Sequence, residues 1–143
     1  MSSKVHSVTA PLTSMRLFFR SRAQSFRFAF SGWWFVIRTQ RNAWIHAIVS
    51  VAVIAVAIWL GIEAQDWATI ILAIAMVWTA EFLNTALEAV VDLASPQQHM
   101  LAQVGKDVGA AAVLIAAASA ALIGVFILGP PLWARLSSLL FSP

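Results

Sequence analysis

The chain has 143 residues, of which 61% are hydrophobic and only 10% are charged, and it contains no cysteine. In soluble domains about a quarter of the residues are charged. A chain this short cannot bury so much apolar surface in one soluble core. We therefore expect an all-α integral membrane protein, without disulfides or thiolate metal sites.

The N-terminal part of the chain is basic. Seven of the nine lysines and arginines precede Ile45. Such a segment can attract nucleic acid or anionic lipid headgroups, and the apolar remainder favours lipid, so we expect no nucleic-acid partner. Residues 1–13 are polar and predict a flexible tail without a signal peptide. Residues 14–39 mix arginines with aromatic residues, which is typical of an amphipathic surface helix in the membrane interface.

Three apolar segments follow, and each is long enough to cross about 30 Å of hydrocarbon. The predicted spans are 43–62, 67–93 and 106–128. Between the last two, residues 94–105 predict a loop, with a turn signal at Ser95-Pro96. Gly129, Pro130 and Pro131 are expected to end the third span. The membrane domain is thus predicted at 14–134, with a C-terminal tail at 135–143.

The basic residues also predict an orientation. Arg38 and Arg41 flank the first span on its N-terminal side, and Lys106 lies near the loop between the second and third spans. The turn at 63–66 carries only acidic charges. The positive-inside rule therefore places the N-terminus and the 94–105 loop in the cytoplasm of a bacterial cell.

The second span contains an unusual amount of polar character in AEFLNTALEAVVD, residues 80–92. At about 100° per residue, Glu81, Asn84, Glu88 and Asp92 fall on one stripe about 80° wide. A carboxylate facing lipid is costly. We therefore expect this stripe to face protein, a water-filled cleft or bound cations.

The predicted topology gathers further polar residues at the cytoplasmic end of the stripe. Carboxylates near Glu88 suit Mg²⁺, Lys106 suits phosphate, and Glu81 lies deeper, where it can act as a base on an alcohol. A proton- or cation-coupled transport element remains an alternative. So do bland interpretations: a solvated helix start at Lys106-Asp107, structural roles for His46 and His99, and helix packing at Gly105 and Gly109.

These motifs resemble a known family. AEFLNTALEAVVDLASP followed by GKDVGAAAVLIAA is similar to the prokaryotic integral-membrane diacylglycerol kinase and undecaprenol kinase family, and RNAWIH and FRFAFSG extend the match over about residues 15–130. The RN-x-x-IH form is closer to the undecaprenol kinase branch. The resemblance implies a homotrimer with three membrane helices and one surface helix per subunit. It implies transfer of the ATP γ-phosphate to a lipid hydroxyl, either undecaprenol or diacylglycerol, with Mg²⁺.

The resemblance also implies roles for individual residues. Glu81 matches the general base, Asn84 a residue that orders the site, and Glu88 a ligand of the metal and nucleotide. Further nucleotide-binding positions are matched by Phe28, Gln40, Gln97, His99, Lys106 and Asp107. Lipid-substrate contacts are expected from Asn42, Trp44 and His46.

Gln40 departs from the family pattern. Many relatives have a glutamate there, which shares the metal with the position of Glu88. An amide oxygen can ligate Mg²⁺ but brings no charge, so metal affinity is expected to be weaker. A degenerate member without kinase activity is therefore an alternative.

Overall fold

The computed structural model describes residues 10–97 and 99–141, with side chains at 22, 24–97 and 99–140. These residues form four helices and no strand. The helices are α1 (Ala10–Thr39), α2 (Arg41–Leu60), α3 (Ala64–Ala94) and α4 (Met100–Phe141). Within this described part, α2, α3 and α4 are long and apolar enough to cross a membrane. The predicted all-α membrane fold with three spanning helices is confirmed.

Helix α1 up to Arg38 belongs to one compact unit, and the described residues from Thr39 onward belong to the other. Several of its aromatic rings are exposed, among them Phe28, Trp33 and Trp34. The Arg38 guanidinium lies 4.9 Å from the centre of the Trp34 ring, a cation–π distance. The interfacial location of this helix stays a prediction. The predicted 1–13 tail is wrong at 10–13, which are helical, and residues 1–9 lie outside the described part.

The turn between α2 and α3 is short because Gly61 ends α2 in the left-handed conformation, with φ of 67°. Its N–H donates to the carbonyl of Ala57 at 3.1 Å. Glycine adopts this conformation without the steric cost that a Cβ would bring. Helix α3 begins three residues later, so α2 and α3 run antiparallel.

The turn between α3 and α4 is shorter than predicted. Ser95 closes α3 by donating its N–H to the carbonyl of Val91 at 2.9 Å, and the proline that follows disfavours a further helical turn. Helix α4 begins at Met100, so the predicted loop is wrong at 100–105. The His99 Nδ1 atom accepts a hydrogen bond from the Leu101 N–H at 3.2 Å, which caps the new helix and explains its early start.

The C-terminal end of α4 also differs from the prediction. The helix continues through Pro130 and Pro131 to Phe141, so the expected end at 129–131 and the expected tail are wrong over this range. Two adjacent prolines remove two N–H donors, but their fixed φ is compatible with a helix. Beyond them, the Arg135 guanidinium lies 5.7 Å from the centre of the Trp59 ring, a contact between α4 and α2. Residues 142–143 lie outside the described part.

The three spanning helices share a small apolar core near the α2–α3 turn. Ala57, Ile70 and Leu128 meet there, one from each helix. Helix α3 packs most extensively against α4. Its buried positions follow one helical face, beginning with Ile70, Ala73 and Val77 and continuing with Glu81, Asn84 and Thr85. The predicted polar stripe therefore continues the same buried face of α3 beyond the apolar core.

Candidate active site

The polar stripe of α3 becomes more exposed along the helix. Glu81 is 1% exposed and Asn84 is 8% exposed. Glu88 is half-buried, and Asp92 is exposed. The deep part of the stripe faces protein, as expected from the cost of a carboxylate in lipid. The stripe thus leads from the interior of the helix bundle to its surface near the α3–α4 turn.

At the deep end, Glu81 faces His46 of α2. The Glu81 Oε2 and His46 Nε2 atoms lie 3.7 Å apart, which is too long for a hydrogen bond. Both atoms are buried, and neither has a hydrogen-bond partner among the described residues. A buried polar atom without a partner costs free energy, so such a pair indicates a place for a ligand. A hydroxyl group, which both donates and accepts, can complement the two atoms.

The neighbours of this pair hold it in place. The Trp78 ring packs edge-on against His46, with 6.4 Å between ring centres. The Trp78 Nε1–H donates to Ser50 Oγ at 3.3 Å. The Thr85 hydroxyl donates to the backbone carbonyl of Glu81 at 2.9 Å, which ties down the next helical turn. Sequence reasoning missed Trp78 and Ser50, although the spacing of four residues places Ser50 on the same face of α2 as His46.

An apolar groove is lined at one end by His46, whereas Glu81 does not line it. Its volume is about 660 Å³, and it runs between α2, α3 and α4 from Ile45 to Leu132. The lining is aliphatic apart from His46 and Ser50, which lie at one end. A groove with one polar end and a long apolar wall matches an amphiphile whose polar group is small.

Seven residues beyond Glu81, the carboxylate of Glu88 accepts two amide hydrogen bonds. Gln40 Nε2 donates to Oε2 at 3.1 Å, and Asn84 Nδ2 donates to Oε1 at 3.2 Å. Gln40 reaches this position because it stands in an extended conformation just before the first turn of α2. The structure therefore brings Gln40, Asn84 and Glu88 together, and their roles in binding metal and nucleotide stay predictions.

This donor set fits a metal ion that arrives with a nucleotide. In the described part of the chain, no group of three or more histidine, cysteine, aspartate or glutamate side chains could hold a metal by itself. Mg²⁺ is commonly held by one or two carboxylates together with substrate phosphates. Glu88 supplies the carboxylate, and Gln40 can present its oxygen when its amide is turned over. The buried Asn84 Oδ1 atom makes no hydrogen bond among the described residues, but it faces Gly109 and is not part of this donor set.

Near the α3–α4 turn, Lys106 is paired with the last carboxylate of the stripe. Its Nζ atom lies 2.6 Å from Asp92 Oδ1, with side chains 38% and 64% exposed. Asp107, one residue further along α4, is exposed. An exposed lysine at this position can exchange its carboxylate partner for a phosphate oxygen at little cost.

A second cavity of about 520 Å³ lies at the same turn. Of the predicted nucleotide-binding residues, its lining contains Gln97, His99 and Lys106, together with Asp92. Glu88 and Asp107 do not line it. His99 already accepts the capping hydrogen bond of α4, so part of its role is structural.

The remaining predicted residues are exposed. Asn42 and Trp44 are exposed on the first turn of α2. Phe28 is exposed on α1, in the other compact unit. Their roles in lipid and nucleotide binding stay predictions.

Curated proteins similar to this chain carry two kinase names. The diacylglycerol kinase of Synechocystis sp. is 47% identical over 109 residues, which are 76% of this chain and 62% of the relative. The undecaprenol kinase of Bacillus subtilis is 37% identical over 109 residues, covering 76% and 89%. The diacylglycerol kinase of Escherichia coli K12 is 36% identical over 83 residues, covering 53% and 68%. The chain thus spans less than two thirds of the Synechocystis relative.

The family comparison agrees with these relatives. The model for prokaryotic diacylglycerol kinase matches residues 27–128, which is more than half of the chain. The match contains the whole polar stripe of α3, Gln40, His46 and Lys106. The resemblance seen in the sequence motifs is confirmed, and the chain belongs to the prokaryotic diacylglycerol kinase family.

Proposed function

We propose that this protein is a lipid kinase, which transfers the γ-phosphate of ATP to the hydroxyl group of a membrane lipid. The observation that carries the proposal is the facing pair of Glu81 and His46, whose facing atoms make no hydrogen bond, with His46 at the polar end of an apolar groove. A lipid alcohol supplies both parts that this arrangement lacks, a hydroxyl for the pair and a hydrocarbon chain for the groove.

In this proposal, Glu81 is the general base. Its carboxylate accepts the hydroxyl proton as the lipid oxygen bonds to the γ-phosphorus and the bond to the β-phosphate oxygen breaks, releasing ADP. His46 holds the lipid oxygen from the other side. Burial of this pair excludes bulk water, which would otherwise compete as acceptor of the phosphoryl group.

Glu88 and Gln40 are the residues that would hold Mg²⁺ with the nucleotide, and the ion supplies charge neutralisation on the phosphates. Along the helix, Glu88 lies about 10 Å from Glu81, from the rise per residue. This separation leaves room for a phosphoryl group between a metal-bound nucleotide and the lipid oxygen. Lys106 offsets phosphate charge at the outer edge of the site, and Asn84 orders Glu88.

The orientation and the assembly belong to the same proposal. ATP is available on the cytoplasmic side, and the positive-inside rule assigns that side to the end of α2 that carries Arg38 and Arg41. We also propose a homotrimer as the working unit. A single chain offers one carboxylate at the metal position, and a neighbouring copy can complete such a site. Light scattering of the detergent-solubilised protein measures the number of copies directly.

The apolar groove favours undecaprenol as the lipid. A single groove suits a single hydrocarbon chain, whereas diacylglycerol carries two. The RN-x-x-IH form of residues 41–46 points the same way, although the relatives named above include kinases of both names.

The test is a competition assay. Purified protein in bilayers receives ATP, Mg²⁺ and equal amounts of undecaprenol and diacylglycerol, and the lipid phosphates are separated and counted. We expect lipid phosphate, with undecaprenyl phosphate in excess. Absence of both products, with dissipation of a cation or pH gradient in the same vesicles, would replace the proposal by the transport alternative.

A further inference from the structure

Helix α4 lies close to α3 where Gly109 faces Asn84. A methyl group built on Gly109 would collide with Asn84 Oδ1 and would lie 3.1 Å from Leu87 Cδ2. The Leu87 contact involves the far end of a flexible side chain, which can move by a few tenths of an ångström. The Asn84 contact allows no such adjustment without moving the amide.

The same amide makes the hydrogen bond that orders Glu88. Asn84 donates from Nδ2 to Glu88 Oε1 at 3.2 Å, while its Oδ1 atom points towards Gly109. Because the amide group is planar and rigid, displacement of one of these atoms displaces the other. Asn84 is also 8% exposed, so it has little free space in which to rotate.

We infer that Gly109 is a positioning residue for the kinase site, acting through Asn84 on the carboxylate of Glu88. The absent side chain on α4 gives the Asn84 amide the space it needs to reach Glu88. The inference rests on the proposed function only for the consequence of this contact in catalysis. The contact itself concerns residues of this chain.

The chain offers a matched control in the same sequence motif. Gly105 lies one helical turn earlier on α4, and a methyl group there would meet only Val91 Cγ2, at an ordinary contact distance of 3.8 Å. If the two glycines served helix packing alone, alanine at Gly109 would disturb the structure more than alanine at Gly105, but only by crowding the interface between the helices. A positioning role instead predicts a specific dependence on Asn84.

The first experiment compares Gly109→Ala with Gly105→Ala. We expect Gly109→Ala to raise the half-saturating concentration of Mg²⁺-ATP at least about tenfold, because a hydrogen bond to a charged group is lost. Gly105→Ala should stay within about twofold of the unsubstituted protein, since its contact is an ordinary one. Equilibrium binding of Mn²⁺-ATP, followed by electron paramagnetic resonance, reads the same effect without turnover.

The second experiment places Gly109→Ala in an Asn84→Ala background. If Gly109 acts through Asn84, the second substitution should change Mn²⁺-ATP binding by less than about twofold, because the colliding atom has gone. Should Gly109→Ala fail to fold alone, recovery of folding in the double variant supports the same contact.

Several outcomes would overturn the inference. One is an equal effect of Gly105→Ala and Gly109→Ala on Mn²⁺-ATP binding. Another is an effect of Gly109→Ala that is as large in the Asn84→Ala background as in the unsubstituted protein. The third is misfolding of Gly109→Ala that persists in the Asn84→Ala background. Failure of the proposed function is separate, because it would appear as absence of lipid phosphorylation by the unsubstituted protein. The coupling between 84 and 109, measured by unfolding, would stand in that case.

Discussion

The two halves of α3 use one buried face for different purposes. Towards the α2–α3 turn, this face carries Ile70, Ala73 and Val77, which pack in an apolar environment. Towards the α3–α4 turn, it carries Glu81 and Asn84, whose polar atoms are left partly without partners.

The difference shows that burial can have two different purposes along a single helix. In the apolar half, burial stabilises the packing of the spanning helices, and the same three residues form part of the wall of the apolar groove. In the polar half, burial costs free energy unless a ligand completes the hydrogen bonds. A helix that only needed to span the membrane could have continued the apolar pattern, and this difference supports the proposal that the polar half serves phosphoryl transfer.

The largest effect should come from removing the base in the polar half. Glu81→Gln keeps the shape of the side chain but cannot accept a proton, so turnover should fall by about 10²–10⁴-fold. Lipid phosphorylation at saturating ATP measures it. Glu63→Gln, a carboxylate substitution just before α3, is the matched control and should keep its turnover. Full turnover in Glu81→Gln would remove the base assignment.

The metal position offers the next test. Gln40→Glu places a second carboxylate beside Glu88. In the unsubstituted protein, Gln40 Nε2 lies 3.1 Å from Glu88 Oε2. We expect the half-saturating Mg²⁺ concentration to fall by about tenfold, because two carboxylates hold this ion better than one. Gln65→Glu, near the start of α3, controls for the added charge. An unchanged Mg²⁺ dependence would show that Gln40 is not a metal ligand.

The apolar half should respond in stability and not in turnover. Ile127→Ala removes a side chain packed against the apolar core and outside the lining of the groove. We expect a loss of about 1–2 kcal/mol in unfolding free energy, since lost packing contacts are not replaced. Unfolding in mixed detergent micelles measures the change. A fall in turnover as large as that of Glu81→Gln would contradict the division between the two halves.

The smallest effect should be at the exposed end of the stripe. Asp92→Asn releases Lys106 from its partner, and an exposed pair of this kind contributes at most about 1 kcal/mol. The KM for ATP should therefore fall by no more than about fivefold, with the difference disappearing at high salt. A rise in KM would mean that Asp92 itself binds the nucleotide side of the site.

Much of this arrangement could be predicted from the sequence, because helical spacing alone places Glu81, Asn84 and Glu88 on one face. The pairing of Gln40 with Glu88 was implied by the family resemblance, and the order of the helices predicted only that the two residues lie on the same side of the membrane. The contact between His46 and Glu81 could not be predicted, because it depends on how α2 is rotated about its own axis relative to α3. The predicted end of α4 at residues 129–131 was wrong. Prolines usually end helices, but a membrane helix can tolerate them where neighbouring groups compensate for the missing N–H donors.

Transfer of labelled phosphate tests the central claim most directly. Protein in bilayers that contain a lipid alcohol is mixed with γ-labelled ATP and Mg²⁺, and the label in the extracted lipid is compared between the unsubstituted protein and Glu81→Gln. We predict label in the lipid alcohol with the unsubstituted protein and at least a hundredfold less with Glu81→Gln. Equal labelling by both proteins, or none by either, would contradict the assignment of the polar half of α3 as the site of phosphoryl transfer.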